Sequence, residues 1–250
     1  MKTIAVYGCS HSSDDFGAVG NTKGKPWCKH LAEKFDFKLI QRASPGANVG
    51  MYIDKLLYDL EEHEIDGVIC QISGATRLTL GFRHWDNKEW QWEEDKEHNG
   101  ARVKHIGMYT WHNIQSDKKF GTPFMDHFKP NYPTQNIHKF IFREIALSNW
   151  MKNYSNQNLM NFITICNKFN KKLLAFSWNE PLKSSYLLPQ YRWILDDVTY
   201  IEQNCMNEGG FFEENNISPV PGDGHYDSEA HLRLCNEYLS GTFEKWYNSL

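Results

Sequence analysis

Two short stretches near opposite ends of the chain carry residue types that could perform nucleophilic catalysis. The first, YGCSHSSDD, places Ser10 two positions after Gly8, where a short apolar run ends. The second, PGDGHYDSEAH, places Asp223 and His225 two positions apart in a glycine-rich loop. A serine hydroxyl is a weak nucleophile until a base accepts its proton, and a carboxylate can hold that base in place. Each stretch alone also fits a surface turn or a helix cap, so the chemistry depends on a fold that brings them together.

Each of the two candidate roles has a rival residue nearby in the sequence. Cys9 is a possible nucleophile, but by strand alternation its side chain should point to the opposite side from that of Ser10. His231 is a possible base, yet it lies on a predicted helix three residues before Leu234, which favours packing or capping. We therefore expect Ser10 and His225 to be the reacting pair and keep His231 as the alternative base.

Apolar runs typical of buried strands alternate with helical periodicity along most of the chain. Strands are predicted over five ranges: 2–8, 37–42, 66–73, 172–178 and 198–202. Helices are predicted over four ranges: 26–35, 49–62, 136–169 with a break near 153–158, and 228–247. This alternation predicts the α/β class, with a parallel sheet of about five strands covered by helices on both faces.

The carboxyl ends of parallel strands are where ligands bind, near the point where the strand order reverses. Ser10 follows the first predicted strand, residues 73–77 follow the third, and the loop with Asp223 and His225 follows the fifth. We therefore expect these segments to meet at one edge of the sheet. Arg77 could hold an anionic substrate group there, although a surface salt bridge is its more ordinary role.

Residues 78–135 do not fit the alternation of strands and helices. They contain four tryptophans, among them Trp90 and Trp92, together with many glycines, histidines and prolines. We interpret them as an insertion after the third strand of a single domain spanning 1–250, with hairpins of its own. The aromatic residues form either a small apolar core or a wall of the substrate site, because aromatic faces pack well on sugars and other amphipathic ligands.

The overall charge and hydropathy exclude several classes of partner. The formal net charge is −4, and no basic stripe of the kind that binds nucleic acids is present. No apolar stretch approaches the roughly 20 residues of a membrane span, and the apolar run at the N-terminus is too short for a signal peptide. We therefore expect a cytoplasmic protein without nucleic-acid or membrane partners.

The cysteines and histidines show no familiar ligand spacing. Six cysteines are scattered without a CxxC pair, which predicts free thiols in a reducing compartment. A metal site built from His11, Asp223, His225 and His231 is conceivable, but these spacings match no recognised metal motif. We expect neither a metal nor another cofactor.

Three sequence blocks, in this order, resemble those of SGNH (GDSL-like) hydrolases. GCSH at the end of the first strand is similar to the GDSL block, SPGAN after the second strand to the block that supplies an oxyanion glycine, and DGHYDSEAH to the Asp/His block. The resemblance covers nearly the whole chain apart from 78–135. It implies a flavodoxin-like three-layer α/β/α fold and esterase, lipase or carbohydrate deacetylase chemistry. Some phage-encoded members of the family look similar, and this similarity implies a viral or virion-associated protein as an alternative localisation.

The resemblance also implies individual roles. Ser10 would be the nucleophile and, with its own N–H, one oxyanion donor. The N–H of Gly46 would be the second donor, and Asp223 and His225 would complete the triad. The Asp–His spacing of two departs from the family, which more often has three.

The third block of the family, usually G-x-N-D, reads ISGATR in this chain, so the asparagine donor is absent there. Asn48, Ser73 or Thr76 could substitute for it, or the oxyanion site could use backbone donors alone. Losing one such donor typically costs about 100- to 1000-fold in rate.

The leading hypothesis is therefore a serine esterase or carbohydrate O-deacetylase acting on a small-molecule or glycan ester. The alternatives are a non-catalytic glycan-binding or structural module on the same fold, and an acyltransferase in which a sugar hydroxyl replaces water. The altered third block and the aromatic insertion favour the binding module, and fold alone does not decide among the three.

Replacing Trp90 or Trp92 by alanine tests the wall interpretation of the insertion. We expect a higher KM for a large glycan ester and nearly unchanged turnover of a small p-nitrophenyl ester, because only the larger substrate reaches the wall. Steady-state kinetics on both substrates measure this. Equal losses on both, with a lower melting temperature, would instead show that these tryptophans form a small apolar core.

Overall fold

Five parallel strands form the central sheet in a computed structural model, which describes residues 1–14, 24–43, 47–74, 92–95, 100–103, 149–221 and 225–250. In chain order the strands are β1 (Thr3–Gly8), β2 (Lys38–Ala43), β3 (Gly67–Ile72), β4 (Trp92–Asp95), β5 (Gly100–Val103), β6 (Lys172–Ser177) and β7 (Thr199–Ile201). Strands β4 and β5 form a separate antiparallel pair. The five predicted strands are confirmed, each to within two residues at either end.

The sheet has the order β2-β1-β3-β6-β7, and every neighbouring pair is parallel. Tyr7 on β1 is paired with Arg42 on one side and with Cys70 on the other. Counting only the five sheet strands along the chain, the order is 2-1-3-4-5, the flavodoxin-like arrangement. The strand order reverses between β1 and β3, so a crevice is expected where these two strands end.

Six α-helices are described: α1 (Trp27–Phe35), α2 (Val49–Glu62), α3 (Asn149–Lys168), α4 (Phe211–Glu214), α5 (Ser228–Arg233) and α6 (Ser240–Ser249). A π-helical turn over Leu234–Leu239 joins α5 to α6, a local widening that the sequence pattern did not predict.

The predicted break near 153–158 is wrong, because α3 runs through it without interruption. Asn156, in the middle of this range, is fully buried. Its side-chain amide donates to the carbonyl of Tyr186 and accepts the N–H of Leu188. Tertiary contacts therefore satisfy a polar residue whose helix propensity is low. Residues 136–148 of the predicted helix lie outside the described residues.

Alternating side chains of the strands supply two apolar clusters, one on each face of the sheet. On β1, Tyr7 packs in one cluster with Tyr52 of α2 and Phe162 of α3, while Val6 belongs to the other cluster. The second cluster includes Trp27 of α1 and residues of the C-terminal helices. Because both faces are covered by helices, the sheet is the middle of three layers, as predicted.

All six cysteines are free and buried, which confirms the expectation of free thiols: Cys9, Cys28, Cys70, Cys166, Cys205 and Cys235. Cys70 and Cys166 lie in the apolar cluster that contains Tyr7. Cys28, Cys205 and Cys235 lie in the opposite cluster.

The chain divides into two compact units. The first consists of Met1–Ala75 and Lys152–Leu250, and it contains the five-stranded sheet. The second consists of Thr76–Met151 and contains the antiparallel pair of β4 and β5, with Trp92 opposite Val103. The predicted insertion over 78–135 falls within this second unit, and its assignment as part of a single domain stays a prediction. Among the helices of the described residues, none combines the length and apolar character of a membrane span.

A buried ion pair joins β2 to α2. The Asp59 carboxylate is fully buried and accepts hydrogen bonds from Nε and Nη2 of Arg42, the shortest at 2.6 Å. The hydroxyl of Tyr7 on β1 donates to the same carboxylate at 2.8 Å. A buried carboxylate needs such partners, because an ion without them is expensive to remove from water.

Replacing Arg42 by methionine should destabilise the protein by about 3–5 kcal/mol, because it leaves the Asp59 charge buried without its cation. The matched control is Arg233→Met, which breaks the exposed pair with Glu237 on one helical segment. An exposed pair of this spacing contributes about 0.5 kcal/mol or less. Urea unfolding of both variants measures the loss in the free energy of unfolding. Equal losses would show that the buried pair stabilises the protein no more than the exposed pair does.

Candidate active site

The segment that carries Ser10 leaves the carboxyl end of β1 as a tight 3₁₀ turn. Its helical residues are Ser10–Ser12, and the N–H of Ser12 donates to the carbonyl of Cys9 at 2.9 Å. Gly8 ends the strand immediately before it, where an added Cβ would overlap the side chain of Ser12. The glycine of the sequence motif is thus required by close packing of the turn back onto its own strand.

Ser10 and Cys9 differ in their access to solvent. Ser10 is 8% exposed, whereas Cys9 is fully buried. Both residues are thus buried, but only the predicted nucleophile, Ser10, keeps a small solvent-accessible area.

The loop that carries His225 is held on both sides. The N–H of Val220 donates to the carbonyl of His225 at 2.7 Å. On the other side, the ring of Tyr226 stacks on Phe212 with 3.8 Å between ring centroids. Asp227 then caps α5 by accepting the N–H of Ala230 at 2.8 Å. These contacts leave the backbone of His225 little freedom.

The structure brings the two ends of the chain together at these residues. Ser10 Oγ lies 2.9 Å from His225 Nε2, a hydrogen-bond distance. This is the separation that a base needs to accept a proton from a nucleophile.

The ring of His11 lies beside that of His225 and stacks on a second ring, that of Trp178. His11 stacks on Trp178 with 4.2 Å between centroids and 17° between planes, and its ring centroid lies 4.5 Å from that of His225. Trp178 directly follows β6, and its backbone N–H donates to the carbonyl of Ile72 at the end of β3. Trp178 was not among the predicted site residues, because only the ends of the first, third and fifth predicted strands were expected to contribute. Its position could have been predicted, because Trp178 follows the fourth strand of the sheet, which ends at the same edge as the other strands.

His231, the alternative base, also packs against Trp178. Its ring is 6.0 Å from that of Trp178, centroid to centroid, and the residue is fully buried. Burial lowers the pKa of His231 to about 3, and repulsion from His30 and His225 acts in the same direction. His231 is therefore a neutral core residue at physiological pH, and it is His225 that the structure places beside Ser10.

Two of the candidates for the missing amide donor lie near the end of β3. The hydroxyl of Ser73 donates to the carbonyl of Ala47 at 2.8 Å. A hydroxyl carries a single hydrogen, so in this arrangement Ser73 has none to offer an oxyanion. Asn48 caps α2, its Oδ1 accepting the N–H of Met51 at 3.2 Å. A donor role for Asn48 would use its side-chain nitrogen.

The other predicted site residues lie outside the described residues: Gly46, Thr76, Arg77, Trp90 and Asp223. Trp92 is described only as part of strand β4. Among the described residues, no group of three or more His, Cys, Asp or Glu side chains is arranged to hold a metal ion.

Replacing His231 by phenylalanine should make the free energy of unfolding depend less on pH between pH 7 and pH 5. The unfolded chain binds a proton on His231 near pH 6.5 and the folded chain only near pH 3, so the native state loses stability as the pH falls between these values. At about 1.4 kcal/mol per pH unit, the wild type should lose about 2 kcal/mol more than the variant from pH 7 to pH 5. Urea unfolding at both pH values measures this, and parallel losses would contradict a neutral buried His231.

Comparisons with known proteins show the fold. No protein-family model matches the chain, and no curated protein does. Among solved structures, the psychrotrophic esterase EstA from Pseudoalteromonas sp. is similar at 14% identity and a TM-score of 0.50, over 99% of this chain and 100% of its own.

TesA is similar at 12% identity, with a TM-score of 0.50, over 98% of this chain and 99% of its own. A catalytic mutant of Axe2, an acetylxylan esterase from Geobacillus stearothermophilus, is similar at 8% identity and a TM-score of 0.50, over 98% of this chain and 93% of its own. Nothing in these comparisons bears on the resemblance to phage-encoded members. The chain thus has the α/β fold of these three proteins, with a five-stranded parallel sheet flanked by helices.

Proposed function

We propose that the protein is a serine ester hydrolase in which Ser10 attacks the acyl carbonyl of the substrate. The observation that carries the proposal is the 2.9 Å contact between Ser10 Oγ and His225 Nε2. A serine–histidine pair at the carboxyl edge of a parallel sheet suits acyl transfer, because the base lies within reach of the proton it must remove. The esterase fold of the compared structures adds support.

The proton moves between these two side chains. In the tautomer that carries its hydrogen on Nδ1, Nε2 of His225 accepts a hydrogen bond from the Ser10 hydroxyl. As Ser10 attacks, His225 takes this proton, and it then gives the proton to the departing alcohol. A water molecule, activated by the same imidazole, hydrolyses the acyl-enzyme. Asp223 is assigned the role of accepting the Nδ1 hydrogen and fixing this tautomer, since it lies two positions before His225.

The developing oxyanion needs hydrogen-bond donors at the end of β1. The N–H groups that open a helical turn have no acceptor within the turn, so the N–H of Ser10 is one proposed donor. The N–H of Gly46 is the second. The carbonyl of Ala47 accepts a hydrogen bond from Ser73 at the end of β3, which places the next residue, Asn48, near this end of the sheet. The side-chain nitrogen of Asn48 is the proposed replacement for the missing asparagine donor.

The proposed natural substrate is an O-acetyl ester of a glycan. The likeness of the fold to Axe2, an acetylxylan esterase, supports this class.

A non-catalytic glycan-binding module is the second candidate. The observation that favours it is the sequence ISGATR in place of G-x-N-D, which removes a side-chain donor from the third block. Both candidates predict glycan binding, and only the hydrolase predicts a reactive serine.

Replacing Ser10 by alanine should lower the hydrolysis of p-nitrophenyl acetate by at least about 1000-fold, with an unchanged circular dichroism spectrum. A fluorophosphonate should label the wild type at Ser10, as located by peptide mass spectrometry. The control is Cys9→Ala, which should keep most of the activity.

An active Ser10→Ala variant with an inactive Cys9→Ala variant would move the nucleophile to Cys9. A wild type that binds glycans but is neither labelled nor active would support the binding module. Product that depends on an added sugar acceptor would identify an acyltransferase.

A further inference from the structure

Gln71 is a polar residue inside a strand that is buried along its whole length. All six residues of β3 are buried, and Gln71 is 0% exposed. Parallel strands covered on both faces are normally continuous apolar runs, and a buried amide is unfavourable unless it is hydrogen-bonded. The partners of Gln71 therefore indicate why it is tolerated in this strand.

Both lone pairs of the Gln71 carbonyl oxygen point at the turn that carries Ser10. Oε1 accepts the backbone N–H of Cys9 at 2.9 Å and the hydroxyl of Ser12 at 3.0 Å. Nε2 donates to the carbonyl of Ile72 at 3.2 Å. The Cys9 N–H can only donate, so the oxygen of the amide must face the turn and the nitrogen must face its own strand.

Ser12 connects the same oxygen to a second layer of the fold. The indole N–H of Trp27 on α1 donates to Ser12 Oγ at 3.0 Å, which directs the Ser12 hydrogen towards Gln71. The carbonyl of Ser12 accepts the side-chain amide of Gln41 on β2 at 2.6 Å. The turn is thus held from β2, β3 and α1, and Gln71 is the group that binds it at both ends.

We propose that Gln71 is a positioning residue for catalysis, which fixes the turn so that the Ser10 hydroxyl meets His225. The proposal rests on the proposed role of Ser10 as nucleophile. Ser10 lies between Cys9 and Ser12, the two residues that Gln71 binds, so its backbone cannot move far without breaking one of these bonds. His225 reaches Ser10 from a separate loop and cannot follow such a movement.

Positioning of this kind acts on the chemical step. A displacement of about 1 Å between reacting groups can lower a rate by about 100-fold. The affinity for a small ester depends little on the alignment of Ser10 with His225. Loss of Gln71 should therefore lower kcat and leave KM nearly unchanged.

The test is Gln71→Met, which keeps the length of the side chain and removes the amide oxygen that accepts both hydrogen bonds from the turn. We expect kcat for p-nitrophenyl acetate to fall by about 10- to 100-fold, with KM within about twofold of the wild type. The second-order rate of fluorophosphonate labelling at Ser10 should fall by the same factor, because labelling requires the same alignment. If this variant does not fold, Ser12→Ala removes one of the two bonds and should give a smaller loss of the same kind.

Asn156→Leu is the matched control. Asn156 is also fully buried, accepts one backbone N–H and donates to one backbone carbonyl, but its partners are Leu188 and Tyr186. Both variants should lower the melting temperature, whereas only Gln71→Met should lower kcat. A loss of kcat in Asn156→Leu as large as in Gln71→Met would reduce the effect to general destabilisation and overturn the proposal.

Different results would overturn the positioning role of Gln71 and the proposed esterase function. A labelled, active wild type together with a Gln71→Met variant of normal kcat would overturn the positioning role alone. A wild type that neither hydrolyses the ester nor reacts with the fluorophosphonate would overturn the proposed function, and the catalytic role of Gln71 with it.

Discussion

Hydrogen bonding between the parallel strands β1 and β3 determines where the other parts of the candidate site can lie. Tyr7 is paired with Cys70, so the next residues along the two strands, Gly8 and Gln71, stand side by side. The absence of a side chain on Gly8 lets the following turn fold back onto Gln71. The same pairing marks the reversal of strand order, where the segments after β1 and β3 separate and leave room for a ligand. A change of register here would move the turn away from its hydrogen-bonding partner.

Most of the fold was predictable because its signals are local. The run GVICQI of β3 is a short, nearly continuous apolar stretch typical of a strand buried on both faces, and the apolar face of α2 follows the helical period. The continuity of α3 and the π-helical turn over Leu234–Leu239 were not predictable in this way. Both depend on contacts with distant segments, such as the bonds of Asn156 to the backbone near Leu188.

The candidate site was predictable only in part. The residue types of Ser10 and His225, together with the rule that parallel strands end at one edge, were enough to expect the contact across 215 positions. Nothing in the sequence distinguished Gln71 from an ordinary strand residue, because its role depends on the turn that follows a different strand. The stacking of His11 on Trp178 could not be predicted either, because no sequence pattern around His11 or Trp178 indicates which ring it will contact.

The buried thiols can serve as probes of local unfolding in each layer of the protein. Burial raises the pKa of Cys28 and Cys166 to about 12 and that of Cys235 to about 11, and it raises the pKa of Cys70 well above its ordinary value. Because alkylating reagents attack the thiolate, these residues become reactive only when the surrounding layer opens. Cys70 and Cys166 lie on one face of the sheet, and Cys28 and Cys235 lie on the other. The alkylation rate of each thiol therefore reports how often its own layer exchanges with solvent, so that the two faces can be compared within one native chain.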